Sequence, residues 1–166
     1  YWVDREELEQ KRSEMSWEYD WIFSFRNIVR VGTDTRTSVG TIIPFYPTGN
    51  SAPVLTFKDR DSLPEHALMF TSIFTSIPFD FISRQSLGGT NLNLYILKQL
   101  PMPTPDDLKN MTVVEGDQKT PFYEYILDRA LELVWTSHSL DSFGKQINPN
   151  QEPFKWDVSR RRDLRR

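Results

Sequence analysis

Three residues offer the first chemistry to test. Pro105-Asp106 followed by Asp117-Gln118-Lys119 superficially follows the nuclease pattern in which two carboxylates hold magnesium and a lysine steadies the attacking water. That chemistry needs its second acid on a rigid strand, and VVEGDQKTP places Asp117 in a glycine-containing polar loop, so the spacing argues against a nuclease. A second candidate is the glycine pair in RQSLGGTNLNLYILKQLPMP (84–103). A phosphate-cradling loop follows a strand and opens a helix, whereas here the order is helix, glycines, strand. Gly88 and Gly89 are expected to be a helix C-cap and turn. No Gly-x-Ser-x-Gly elbow, no His-Glu-x-x-His and no Asn/Asp-Pro-Pro-aromatic tetrapeptide is present. Cysteine is absent, which removes disulfides and thiolate metal sites and fits a reducing cytoplasm. With imidazole available only from His66 and His138, no metal centre and no catalytic residue is expected.

The elements that would position any site read as a mixed architecture. A charged helix is expected over 4–15. The apolar, β-branched and aromatic WIFSFRNIV (21–29) predicts a strand, TSVGTIIPF (37–45) a second ending at Pro44, and 54–57 a short third, with turns at 32–35 and 45–53. From Ser62 the period changes: Leu63, Ala67, Phe70, Ile73, Phe74 and Ile77 recur at helical spacing, with Pro64 in the first turn and Pro78 breaking or kinking the helix. Helix resumes over 79–85. The alternation of Leu92, Leu94 and Ile96 predicts a strand over 91–97; then follow a short helix near 106–111, a polar loop to Thr120 and a longer helix over 121–138. The fold class expected is α+β, a small and mainly antiparallel sheet packed with helices. The segments expected are a charged lead-in helix (1–20), an α+β core (21–103), a helical C-terminal part (104–154) and the start of a basic helix (155–166).

At 166 residues, 38% of them hydrophobic and 13% aromatic, the chain can bury a core of its own. No apolar run approaches the roughly 18 residues of a membrane span, and no signal-peptide layout precedes the first helix. The net charge of −3 is unevenly spread: residues 1–20 carry −4, residues 21–100 carry +2, and Lys155, Arg160, Arg161, Arg162, Arg165 and Arg166 crowd the end. A terminal arginine run is more often a solvated helix face than a DNA clamp, so charge permits DNA without demanding it. A start without methionine and an end on VSRRRDLRR lead us to expect a piece of a longer protein.

An ordered set of motifs then points further. Phe25-Arg26, Arg36-Thr37 with Pro44, Asp80 with Arg84-Gln85, Gly88-Gly89-Thr90 with Leu92-Asn93, and Leu100-Pro101 succeed one another along nearly the whole chain. This succession resembles the C-terminal specificity region of large type II restriction-modification, adenine-specific DNA methyltransferases, with relatives in phage defence. The resemblance implies a target-recognition-domain-like fold, double-stranded DNA as partner, and a non-catalytic segment working beside the methyltransferase domain of the same chain. S-adenosylmethionine would be held by that domain, with no cofactor in this segment.

The DNA-binding candidates are Arg26, Arg36, Thr37, Arg84, Gln85, Thr90, Asn91, Asn93 and Lys98, because arginine pairs with guanine and asparagine or glutamine with adenine in the major groove. Each has a second reading. Arg26 and Arg36 could pair with internal carboxylates such as Asp80, Arg84 could serve the helix dipole, and Thr90, Asn91 and Asn93 could bond the turn backbone. Base readers would then sit in the loops 46–51 or 58–62. The alternatives to DNA reading are a protein docking or assembly module of the same defence system and, behind it, an independent nuclease. Titration calorimetry of the 166-residue protein with S-adenosylmethionine is expected to show no micromolar binding; a micromolar isotherm contradicts the division of labour implied here.

Overall fold

All five side chains of WIFSF, strand β1 (Trp21–Phe25), are buried, so this strand must have neighbours on both edges and packing on both faces. In the computed structural model, which describes residues 3–58 and 62–165, β1 is the middle strand of an antiparallel sheet of order β2-β1-β3. Strand β2 is Gly40–Pro44 and β3 is Val54–Leu55. The register sets Phe23 opposite Ile42 on one side and Leu55 on the other. Helices surround this sheet, so the fold is the α+β arrangement expected from the sequence.

Aromatic rings carry β1 outward in two directions. Phe23 meets Phe70 and Phe74 edge-on at 5.0 and 5.3 Å, and Phe74 meets Phe79 at 5.4 Å. That line fixes helix α2 (Leu63–Phe74) and helix α3 (Ile77–Ser86) against the sheet. Helix α1 (Arg5–Glu14) precedes the sheet and is capped by the Asp4 carboxylate, which accepts from the Glu6 N–H. At the opposite end of β1, Trp21 meets Phe143 at 4.9 Å, and the fully buried Trp135 donates its indole N–H to Asp141 at 3.0 Å. One continuous core therefore joins the first strand to the last third of the chain.

The break expected at Pro78 is present, rather than a kink: α2 stops at Phe74, the Ser76 hydroxyl accepts from the Phe79 N–H, and Pro78 lies in the first turn of the new helix α3. Several other expectations are corrected. The glycine pair is not a left-handed C-cap, since neither residue has positive φ and α3 leaves through an extended Leu87. The strand expected over 91–97 is a single bridge, Ile28 to Asn91, followed by helix α4 (Leu94–Leu97). Asn93 decides this by accepting the Ile96 N–H, and of the alternating leucines Leu92 is buried while Leu94 is 45% exposed.

Past helix α5 (Pro105–Lys109), the polar loop expected to Thr120 is a β-hairpin, β4 (Thr112–Glu115) with β5 (Gln118–Pro121). Its turn uses Gly116 at φ 61°. The helix expected over 121–138 is shorter: α6 covers Phe122–Val134, and Trp135 turns the chain into a 3-10 helix (His138–Leu140) and helix α7 (Asp141–Ile147). Helix α8 (Val158–Leu164) closes the order and already buries Leu164.

A Cβ at Gly144 would come within 2.0 Å of the Trp135 ring. Gly144→Ala is therefore expected to destabilise the protein by about 1–3 kcal/mol, measured by urea unfolding; unchanged stability would mean that Trp135 is free to move.

Candidate nucleic-acid interface

The exit from β1 is where the chain stops being apolar. Arg26 follows Phe25 directly, and from there the backbone threads between two other segments. The Asn27 N–H donates to the Ser51 carbonyl at 2.9 Å and the Asn27 side-chain amide to the Asn50 carbonyl at 3.3 Å. On its other side the Val29 N–H donates to Thr90 and the Leu92 N–H to Asn27, both at 2.8 Å. Three loops, 26–39, 46–53 and 84–93, thus lie side by side at one end of the sheet.

Loop 30–38 has no secondary structure of its own and is held by charge. The Asp34 carboxylate accepts the Arg30 N–H at 3.0 Å and lies 3.4 Å from the Arg26 guanidinium. Arg84, in the last turn of α3, donates to the carbonyls of Val31 and Asp34 at 3.2 and 2.8 Å. Arg26 also donates to the Arg36 carbonyl, and Arg36 donates to the carbonyls of Thr75 and Ser76 at the α2–α3 junction. That junction is the negative end of the α2 dipole, which favours a cation there.

Beneath the loop lies Asp80, buried in the first turn of α3. One of its oxygens accepts the N–H groups of Thr37 and Ser38 at 2.7 and 2.8 Å and the Ser38 hydroxyl at 3.1 Å, and sits 3.2 Å from Arg36 Nε. Burial alone would raise the Asp80 pKa; the N–H groups of Ser38 and Thr37 and the Arg36 guanidinium outweigh it and bring the pKa below the usual carboxylate value.

The candidate residues therefore fall into two sets. Arg26, Arg36, Thr37 and Arg84 come together under loop 30–38, where the three arginines bond the protein's own carbonyls and carboxylates and Thr37 is fully buried. Gln85, Thr90, Asn91, Asn93 and Lys98 are exposed along α3's end and the segment that follows. Among these, Thr90 donates to the Asn91 side chain at 3.0 Å and Asn93 caps α4.

Loop 46–51 is exposed throughout and abuts Asn27; of loop 58–62, residues 59–61 lie outside the described residues. Arg30 was missed by sequence reasoning. Its backbone is fixed by Asp34 and its side chain is exposed without a partner among the described residues. No signal in the sequence sets it apart from Arg26, Arg36 and Arg84.

Charge sets this surface apart. Segments 26–39, 46–53 and 84–93 contain Arg26, Arg30, Arg36 and Arg84 against the carboxylate of Asp34, with Asp80 beneath them facing Arg36, in a chain whose net charge is −3. The nuclease-like residues are elsewhere: Asp106 is in the first turn of α5 and 3.7 Å from Lys109, while Asp117 occupies the β4–β5 turn. No group of three or more acidic or histidine side chains able to hold a metal occurs among the described residues. Among them, no helix is long and apolar enough to cross a membrane. Compared with family models, curated proteins and solved structures, the chain matches none.

Asp80→Asn removes the charge on which three donors and Arg36 converge, and is expected to cost about 3 kcal/mol. Because the folded-state pKa is depressed, the stabilisation is full above the unfolded value near about 3.9 and is lost as pH falls through the lower folded value. Thermal unfolding of wild type should lose stability as pH falls through that window, whereas Asp80→Asn should lack this part of the pH dependence; parallel curves would show that Asp80 does not hold the loop.

Proposed function

We propose that this chain reads duplex DNA, as the target recognition module of an adenine-specific, S-adenosylmethionine-dependent restriction-modification methylase acting in the cytoplasm. The observation that carries the reading is the triple-loop surface, where exposed Arg30 and side-chain amides gather around a loop whose two carboxylates, Asp34 and Asp80, are already paired with Arg26 and Arg36. Phosphate contacts fix register while amides and guanidinium groups read base edges. Arg30, Asn50, Gln85, Asn91 and Lys98, all exposed, would do that work. Arg26, Arg36, Arg84 and Asp80 hold the loop that presents Arg30. A methyltransferase domain that extrudes its target base needs such a rigid register, because the flipped state is reached by unstacking at one position only. The resemblance set out above assigns base flipping and methyl transfer to a domain that carries the catalytic tetrapeptide.

A second reading, docking onto another protein or domain, has its own support. On the outward face of α3, Ile77 and Phe81 are 75% and 63% exposed, one helical turn apart. Exposed apolar pairs of this kind favour protein contacts.

Selection of duplexes from a randomised pool by the 166-residue protein separates the two readings. Enrichment of one sequence is expected, with Arg30→Ala and Asn91→Ala each weakening the enriched duplex by about 1–3 kcal/mol while an unrelated duplex changes less. Ile77→Ala and Phe81→Ala should leave DNA binding unchanged. A pool that shows no enrichment, or enrichment indifferent to both loop substitutions, overturns the DNA reading.

A further inference from the structure

Residues 155–166 carry six cations and two carboxylates at the end of a chain whose total charge is −3. Two of the arginines are consumed in seating helix α8. Arg160 grips the Glu132 carboxylate with two hydrogen bonds at 2.8 and 2.9 Å. Arg161 donates to the Leu133 carbonyl at 2.9 Å and lies 3.7 Å over the Trp156 ring. Together with the buried Leu164, these contacts fix the helix on α6 and settle which face turns outward. That face carries Val158, Arg162 and Arg165, at i, i+4 and i+7, with Lys155 and the 60%-exposed Trp156 on the approach. Arg162, Arg165 and Lys155 have no ion-pair partner among the described residues, and Asp163 lies about 100° round the helix from Arg162.

We propose that this outward face of α8 is a second nucleic-acid contact, a sequence-independent seat for the phosphates of a duplex. The proposal rests on the DNA reading above. A helix clamped from behind presents its guanidinium groups without any further ordering of the backbone, and an adjacent exposed indole adds apolar contact to the sugar edge. The triple-loop surface would read sequence while α8 anchors the backbone. A solvated arginine run needs no such fixation; here Arg160 and Arg161 supply it and leave Arg162 and Arg165 free.

Fluorescence anisotropy of the 166-residue protein against two unrelated duplexes, from about 50 mM salt upward, tests this. The double variant Arg162→Gln/Arg165→Gln should bind both duplexes more weakly by the same factor, and the slope of log affinity on log salt should fall by about two. Lys155→Gln should lower it by about one. Both variants change only exposed side chains, so an unchanged melting temperature is expected alongside. If wild type binds and the double variant keeps its affinity and slope, the α8 proposal is overturned while the DNA reading stands. If wild type binds neither duplex at the lowest salt, the DNA reading itself falls and this proposal with it. A salt-sensitive self-association lost in the double variant, with DNA affinity intact, would assign the face to an acidic protein surface instead.

Discussion

A single buried carboxylate oxygen organises the candidate site. Asp80 is placed by the first turn of α3, and toward it point two backbone N–H groups, a hydroxyl and a guanidinium from a loop some forty residues earlier in sequence. A buried carboxylate is costly unless its charge is met by such donors, and a loop without ladder hydrogen bonds is equally in need of acceptors. Each supplies what the other lacks. The result is a tie between helix and loop made without any ladder hydrogen bond. Arg36 closes the tie by reaching from the loop to the carbonyls of Thr75 and Ser76 at the α2–α3 junction, so that loop, both helices and carboxylate are cross-linked.

Rigidity at that point would be useless on a soft platform. The line of rings from Phe23 through Phe74 to Phe79 runs from the central strand to the helix that bears Asp80, and every member of it is buried. Aromatic side chains lose few rotamers on packing and bury large areas, which makes this line a stiff connection between sheet and site. The other end of β1 is braced by Trp21 on Phe143, and there the close approach of Gly144 to Trp135 fixes the angle at which the last helices return. Loop 30–38 can thus be irregular in backbone and still be held in one orientation.

What the sequence revealed and what it hid follow from the range of the interactions involved. Helix α2 was legible because its apolar spacing and Pro64 are local, and β1 because five consecutive core residues leave no other choice. The hairpin at 112–121 was missed because Gly-Asp and the flanking β-branched residues are outweighed in composition by polar neighbours. The segment 91–97 misled because Leu92, Leu94 and Ile96 satisfy a strand's alternation, and only the Asn93 side chain, bonding three residues ahead, selects the helix. At the site, pairing of Arg36 with Asp80 was one of two open readings, since nothing in a one-dimensional chain says which cations are met by carboxylates. Arg30 was overlooked for the same reason in reverse: its freedom is visible only once Arg26 and Arg84 are seen to be engaged.

Net charge illustrates why a sum is a poor guide to partners. A chain that is acidic overall repels phosphate at long range, and at physiological salt that repulsion is screened within about 8 Å. Inside that distance the local composition governs, and two places on this chain are locally cationic: the triple-loop surface and the end that carries α8. An acidic remainder weakens indiscriminate adhesion to polyanions while leaving close contacts at those two places intact. Seven of the acidic residues lie in the first twenty, mostly on the solvent-facing helix α1, which buries no side chain and so is free to carry charge without cost to the core.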